Sequence, residues 1–214
     1  DTFFRQIFSL KIIFSLDKDQ FILIHLRMTG HFHFVKGDLP AYTVALFDFD
    51  DNTQLTHNSI RKFGSLTLHN GDSLQEKLSK LGPEPLEISA KEFNQLIKKY
   101  PNSNIKTKVL DQSFIAGIGN IYIQEAMYHA GIHPNRAVKE VSSFSKLFNE
   151  LQKVLKLSIK NNGTTIQNFS HIDGKGNFQN LLAIYGKSHC PKGHATQKVK
   201  IGGRGTWYCD KCQW

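Results

Sequence analysis

The stretch LDQSFIAGIGNIYIQEAMYHAGIHPNR, residues 110–136, has the most specific pattern in the chain. Gly117 and Gly119 indicate a tight turn directly before a helix that begins near Asn120, and Gly131 marks the expected helix end. Such a turn exposes backbone N–H groups to anions, and the Asn120 amide adds a further donor. A packed helix with an asparagine N-cap would show the same pattern, so this motif alone leaves both interpretations open.

The hydrophobic pattern changes from strand-like to helical partway along the chain. Short alternating segments separated by Asp-, Asn- and Gly-containing turns predict mostly antiparallel strands over residues 1–75. The Pro-rich segment LGPEPLE, residues 81–87, indicates a break between domains. After it, Ser89 and Glu92 form a capping-box pattern, and residues 142–162 have helical spacing up to an Asn-Asn-Gly stop.

Positive charge is concentrated in the C-terminal part of the chain. The net charge is +9, yet residues 1–75 hold seven Lys or Arg against eight Asp. Residues 151–214 hold ten Lys or Arg against two Asp, which favours a polyanionic partner, although a solvated basic surface has the same composition. No apolar run long enough for a transmembrane helix and no signal-peptide pattern is present.

All three cysteines lie in the last 25 residues, CPKGHATQKVKIGGRGTWYCDKCQW. Cys209 and Cys212 flank two residues, and Cys190 and His194 offer two more ligands at similar spacing, which together match a structural zinc site. A disulfide would leave one odd thiol. His189 competes as the fourth ligand, but its place directly before Cys190 makes simultaneous ligation awkward.

The segment between the two ligand pairs predicts a basic β-hairpin. Lys198, Lys200 and Arg204 lie on it with no acid between them. Small glycine neighbours would let the Arg204 guanidinium approach a phosphate closely, in bidentate geometry. A solvent-exposed turn arginine without a ligand is the alternative.

Residues 110–136 resemble the helix–two-turns–helix motif of the formamidopyrimidine-DNA glycosylase / endonuclease VIII (Fpg/Nei) family. Other segments resemble this family in the same order: KIIFSLDKDQFILIHLRMTGHF its strand pair, NSIRKFGSL its Arg-Arg-Phe-Gly segment, LGPEPLE its linker, NGTTIQNF and DGKGNFQNLLAIYGK the segments before the finger, and the tail its zinc finger. The finger departs from the four-cysteine pattern common in bacteria. It is similar to the Cys-His-Cys-Cys finger of some Nei-like members, which supports His194.

The resemblance implies an α+β fold in three parts. Residues 1–78 would form a partial N-terminal antiparallel β-sandwich, residues 88–170 a helix–two-turns–helix DNA-binding domain, and residues 180–214 a zinc-finger β-hairpin with one structural Zn²⁺. It further implies that the partner is double-stranded DNA with oxidised bases or abasic sites. We expect a monomer without membrane association, located inside the cell in the cytoplasm, the nucleoid or a nucleus.

The resemblance assigns three residues to the gap in the base stack. Members of this family flip the damaged nucleotide out of the duplex, because its C1′ cannot be reached inside the stack. Met28, Arg61 and Phe63 match the side chains that fill the resulting void, with Met adaptable, Phe a wedge and Arg facing the orphaned base. Without the resemblance, Met28 and Phe63 would be interpreted as core residues.

Further positions match the backbone contacts and the active site of the family. Lys106, Asn120 and Arg204 match the residues that grip phosphates around the lesion. Lys11 matches a lysine of the β domain that reaches the active site in a supporting catalytic role; a surface strand lysine is the alternative. The loop HIDGKGNF, residues 171–178, would lie near the extruded base. The choice between oxidised purines and pyrimidines stays open.

The activity implied is that of a bifunctional DNA glycosylase and abasic-site lyase in base-excision repair. Its nucleophile in the family is an N-terminal proline followed by glutamate, and no Pro-Glu opens this chain. We therefore expect a fragment of a longer protein that is inactive by itself, in which only Lys11 or the α-amine of Asp1 could replace the proline. The alternatives are a non-catalytic damaged-DNA-binding zinc-finger protein and a zinc-ribbon adaptor for RNA or protein.

Overall fold

The structure is a computed structural model that describes residues 4–8, 11–164 and 176–214. The loop at residues 171–178, expected near the extruded base, lies mostly outside this described part, as does the α-amine of Asp1. Within the described part, no helix combines the length and the apolar character that a membrane crossing requires.

The chain divides into two compact units. The first comprises Asp1–Ser79 and Asn161–Gln179, and the second comprises Lys80–Lys160 and Asn180–Trp214. The first change of unit falls just before the Pro-rich segment of residues 81–87. The domain limits expected from the resemblance stay a prediction, because the contacts define units and not family domains.

Among its described residues, the first unit contains two antiparallel sheets and one α-helix. Its elements are β1 Phe4–Phe8, β2 Lys11–Leu16, β3 Gln20–His25, β4 Gly30–Val35, β5 Thr43–Asp48, β6 Gln54–Ser59, β7 Ser65–Asn70 and α1 Gly71–Ser79. One sheet has the strand order β1-β2-β3-β7 and the other has the order β4-β6-β5. The helix α1 was missed from the sequence, because its Asn-Gly-Asp start was interpreted as a turn.

The alternation of apolar residues along these strands builds a core on both faces of the larger sheet. On one face Phe14 packs against Phe32 of the other sheet, with ring centroids 5.6 Å apart. On the opposite face Ile13 and Leu23 pack against Leu74 of α1. Successive side chains point to opposite faces of a strand, so the same strands contribute side chains to the core on both faces of the larger sheet.

The second unit contains four α-helices, a 3₁₀ turn at Val138–Glu140 and a β-hairpin. Its elements are α2 Ala90–Ile97, α3 Ile105–Val109, α4 Asn120–Ala130, α5 Phe144–Lys160, β8 Gln197–Ile201 and β9 Arg204–Tyr208. The predicted capping box starts α2, where the Ser89 N–H donates to Glu92 Oε2 at 2.8 Å and the Glu92 N–H donates to Ser89 Oγ at 3.2 Å. In the core the rings of Phe93 and Phe148 stack with centroids 4.6 Å apart. The predicted α+β class is confirmed.

Helix α4 begins and ends at the glycines that mark it in the sequence. Gly117 has a positive φ of 78°, which favours glycine, and Gly119 is the N-cap residue. Asn120 is the first helical residue and does not cap the helix. Gly131 ends the helix in the left-handed conformation, with φ of 75°. The side chain of Asn120 is thus available for contacts outside its own helix.

Candidate metal centre and nucleic-acid interface

Four side chains in the finger converge as a metal-binding set. They are Cys190, His194, Cys209 and Cys212, and their donor atoms all lie within 4.8 Å of one another. The Nδ1 of His194 is 3.7 Å from the Sγ of Cys190 and 3.3 Å from that of Cys212, and these two sulfurs are 3.9 Å apart. Tetrahedral zinc with usual bond lengths requires about 3.6 Å between nitrogen and sulfur and about 3.8 Å between sulfurs. The donor set therefore fits zinc.

Tight turns place the ligands. The Gly193 N–H donates to the Cys190 carbonyl at 2.8 Å, and Gly193 has a positive φ of 80°. The Cys212 N–H donates to the Cys209 carbonyl at 3.0 Å in the second turn. His189 is exposed and lies outside the cluster, so His194 supplies the fourth donor of the set that would hold the zinc. Since all four positions come from protein, the zinc role is structural, cross-linking the two turns.

The surroundings of the thiols favour ionisation of one of them. Burial opposes ionisation of Cys190, but hydrogen bonds from the backbone N–H groups of His194 and Lys192 and from the side chains of Tyr128 and Cys209 together lower the pKa of this thiol to about 6. Burial raises the pKa of Cys212. Burial and the neighbouring Cys190 raise the pKa of Tyr128 on α4, so its hydroxyl stays protonated and can donate to sulfur.

The side chains of Lys106 and Asn120 are joined by a hydrogen bond in the second unit. Lys106 Nζ donates to Asn120 Oδ1 at 2.8 Å, and no part of the Lys106 side chain is exposed. Asn120 Nδ2 donates to the Gly205 carbonyl at 3.1 Å. Lysine can only donate and a carbonyl can only accept, so both partners fix the same orientation of the amide. One N–H of the Asn120 amide remains for a ligand.

Arg204 lies close to this pair because of its position on the hairpin. It is exposed and opens β9, one residue before the Gly205 carbonyl that Asn120 binds. Burial, and secondarily the charge of Arg204, lower the pKa of Lys106 from 10.5 to about 8. The three predicted phosphate contacts are thus brought together in one unit; their role on DNA stays a prediction.

Met28, Arg61 and Phe63 are exposed in the first unit. Met28 is 62% exposed and Phe63 65%, so neither is a core residue. The guanidinium of Arg61 lies 3.9 Å from the sulfur of Met28. Thr29 Oγ1 joins the two loops, because it accepts from the Arg61 N–H at 3.2 Å and contacts Ser59 Oγ at 3.2 Å. Apolar side chains held in water by an anchored backbone suit insertion into a partner.

Lys11 lies at the start of β2 in a group of basic side chains. It faces His25 across the sheet in the register of β2 and β3. Burial, followed by the charge of Arg27, lowers the pKa of Lys11, and the same two causes lower the pKa of His25. A less strongly basic amine suits a supporting catalytic role, which stays a prediction.

Two buried polar residues of α4 were missed from the sequence. Glu125 accepts the backbone N–H groups of Ala183, Ile184 and Tyr185 at 2.6, 3.1 and 2.8 Å. Gln124 bonds to strand β9. The signal was the adjacent Gln-Glu pair between the apolar residues Ile123 and Ala126, where buried polar groups need specific partners.

The structure combines antiparallel sheets, a helical unit that carries Lys106, Asn120 and Arg204 close together, and a zinc-binding hairpin. This combination defines a class of nucleic-acid-binding zinc-finger proteins. Three family models match the chain and identify the class more closely. The formamidopyrimidine-DNA glycosylase N-terminal domain matches residues 10–66, the formamidopyrimidine-DNA glycosylase H2TH domain matches residues 81–170, and the zinc finger found in FPG and IleRS matches residues 193–213.

Relatives and solved structures agree with these models. The formamidopyrimidine-DNA glycosylase of Listeria innocua is 35% identical over 90% of this chain and 74% of its own length. That of Bacillus licheniformis is 36% identical over 94% of this chain and 77% of its own length. The Lactococcus lactis Fpg in complex with abasic-site DNA superposes with a TM-score of 0.89 at 32% identity, over 98% of this chain and 80% of that one. MutM in complex with carbocyclic 8-oxo-G DNA gives a TM-score of 0.88 at 31% identity.

The chain belongs to the formamidopyrimidine-DNA glycosylase family, and the predicted resemblance is confirmed. The match to the zinc finger and the fit of the four-ligand cluster confirm one structural zinc as its cofactor. The zinc-ribbon adaptor for RNA or protein is therefore wrong as an interpretation, because all three family models match in order along the chain.

Proposed function

We propose that this chain binds double-stranded DNA carrying oxidised bases or abasic sites, and that it belongs to a base-excision-repair glycosylase with abasic-site lyase activity. The observation that carries the proposal is the clamp of Lys106, Asn120 and Arg204. Lys106 is bonded to Asn120, and Asn120 is bonded to the residue after Arg204.

The clamp has the chemistry of a phosphate site. Lys106 is a buried cation, and no described acidic side chain is paired with it. The Asn120 amide keeps one donor, and Arg204 offers a forked set of donors from an exposed position. An anion bound by the Asn120 amide and the Arg204 guanidinium relieves the repulsion between Arg204 and the buried Lys106, so a DNA phosphate is a favourable ligand.

The exposed set of Met28, Arg61 and Phe63 supports base flipping. An extruded nucleotide leaves a gap in the duplex, and unstacking costs a few kcal/mol unless other groups fill the space. The two apolar side chains are already exposed to water and the arginine lies beside one of them, so their insertion into the gap requires no core rearrangement.

The reaction proposed for the protein is attack of an amine on C1′. The amine displaces the base, which leaves with a proton, and opening of the C1′–O4′ bond of the sugar gives an iminium between the amine and C1′. Loss of a C2′ proton then expels the 3′ phosphate and breaks the strand. In this scheme Lys11 is a supporting residue at the start of β2, where burial and the charge of Arg27 lower its pKa.

Relatives indicate the substrate branch. Some of the solved relatives are complexes with Fapy-dG DNA or with carbocyclic 8-oxo-G DNA, and both lesions are oxidised purines, so we extend a purine preference to this protein. A substrate that is DNA places its action inside the cell, and the bacterial relatives favour the nucleoid over a nucleus. We further propose that the protein acts as a monomer.

The test is binding to a duplex with a tetrahydrofuran abasic-site analogue, measured by fluorescence anisotropy over a range of salt. Affinity should fall steeply with salt, and Arg204→Ala should weaken lesion and undamaged duplexes alike, because phosphates carry no base information. Equal binding by wild type and Arg204→Ala at every salt concentration would refute the clamp. Equal affinity of the wild type for the tetrahydrofuran duplex and for an undamaged duplex would argue against damage recognition.

A further inference from the structure

Strand β9 has one edge that its own sheet leaves open. It pairs only with β8, in a two-stranded sheet. Backbone groups on an open edge need other partners, and the side-chain amide of Gln124 supplies them. Its Nε2 donates to the Gly205 carbonyl at 3.3 Å, and its Oε1 accepts from the Trp207 N–H at 2.7 Å. This amide therefore takes the place of a neighbouring peptide group.

The helix holds the same amide in place from the other side. Gln124 Nε2 also donates to the Asn120 carbonyl at 2.6 Å, one turn earlier in α4. The side chain is only 1% exposed. An amide has two donors and one acceptor oxygen, so these three bonds fix both its rotamer and its orientation. Helix α4 and strand β9 are thus joined through one rigid group.

The attachment point lies beside the clamp. The Gly205 carbonyl accepts from Gln124 and from Asn120, and Gly205 directly follows Arg204. A shift of β9 along α4 would therefore move the backbone of Arg204 relative to the Asn120 amide. No other side chain of the described residues bonds to both the Gly205 carbonyl and the Trp207 N–H.

We propose that Gln124 is a positioning residue for DNA binding. It fixes the hairpin relative to α4 so that Arg204 and Asn120 can contact the same stretch of phosphate backbone. This inference rests on the proposed function of Arg204. Gln124 itself touches no ligand in this scheme and acts through the position of β9.

This attachment is separate from the zinc centre. Cys209 follows β9 at its far end, and the zinc ligands pack against Tyr128, one turn further along α4. The hairpin is therefore held at both ends of β9, by the metal at one end and by Gln124 at the other. Loss of the Gln124 bonds should leave zinc binding intact.

The experiment compares Gln124→Met with wild type on the tetrahydrofuran duplex. Methionine keeps the length of the side chain and removes its hydrogen bonds. Loss of one well-placed charge-assisted phosphate contact predicts about tenfold weaker binding and a salt slope lower by about 1. Zinc content, measured on the same samples, should stay at one per chain.

Gln152→Met is the matched control. Gln152 is also an amide that bonds two backbone carbonyls, those of Pro85 at 2.8 Å and Ile88 at 3.2 Å, in the same unit. It has no bond to the hairpin among the described residues. Its replacement should leave affinity and salt slope within about twofold of wild type, the range expected for independent sites.

The double variant Gln124→Met with Arg204→Ala separates the possible outcomes. If Gln124 acts through Arg204, the second substitution adds little to the first, because the contact is already lost. Three results would each overturn the positioning role. They are fully additive losses of binding free energy in the double variant, an unchanged salt slope in Gln124→Met, and loss of zinc from Gln124→Met. If Arg204→Ala binds like wild type, the proposed function itself fails.

Discussion

Lys106 Nζ donates to Asn120 Oδ1 at 2.8 Å, and Lys106 has no exposed surface at all. A lysine in this position orients the amide and adds positive potential, while the amide and the exposed Arg204 offer donors to a ligand. The buried ammonium is unfavourable in the free protein, as the lowered pKa of Lys106 shows. An anionic ligand compensates this cost.

The first prediction concerns pH. With a pKa of about 8, Lys106 is charged at pH 7 and loses its proton as pH rises above 8. A phosphate favours the charged form and raises the pKa, so DNA binding takes up a proton. Affinity for the tetrahydrofuran duplex should therefore decline from pH 7 to pH 9.5 at constant salt. Anisotropy titrations measure this decline.

The control for pH is a pair of lysine variants. Lys106→Met should bind more weakly and lose most of the pH dependence, whereas Lys108→Met should keep it. Lys108 is paired with Asp111 at 2.9 Å and lies outside the clamp. A pH profile that is identical in wild type and Lys106→Met would contradict the assignment.

The second prediction concerns zinc. His194→Ala should lose the metal or bind it far more weakly, because zinc needs a fourth ligand and the cluster has no spare donor. His189→Ala, next to Cys190 but outside the cluster, should retain one zinc per chain. Metal analysis after dialysis against a chelator measures both, and retention of zinc by His194→Ala would argue against the ligand set.

The third prediction concerns the exposed wedge residues. Met28→Ala and Phe63→Ala should change the free energy of unfolding by about 0.5 kcal/mol or less, because these side chains make few core contacts. Both should reduce the preference for lesion over undamaged duplex. By contrast Phe32→Ala, at a residue 3% exposed, should cost about 3–5 kcal/mol. Urea unfolding and competition binding provide the two measurements.

The fourth prediction concerns Glu125. Its carboxylate accepts three backbone N–H groups from consecutive residues and is 1% exposed. Glu125→Gln keeps the shape but replaces one acceptor oxygen by a donor, leaving buried N–H groups without a partner. The variant should lose about 2–3 kcal/mol of stability in urea unfolding. Glu87→Gln, at an exposed site, should change stability little, and equal effects at both sites would refute this role.

Local patterns determined much of this protein by themselves. The Cys190–His194 and Cys209–Cys212 spacings predicted the zinc site, because the two ligands of each pair are close in sequence and need only a tight turn to converge. Gly119 and Gly131 predicted the bounds of α4, and the capping box predicted the start of α2. The family followed from short motifs in a fixed order, which the comparisons confirm.

Tertiary structure alone decided the partners of buried polar groups. Gln124 and Glu125 look alike in the sequence, yet one binds a strand 81 residues away and the other binds backbone amides 58 to 60 residues away. No local pattern encodes such distant partners. Likewise, Met28 and Phe63 resemble core residues by type, and only packing shows that they are exposed. The type of a residue determines which hydrogen bonds and contacts its side chain can make. Its partners are residues distant in sequence, and only the folded chain brings them within reach.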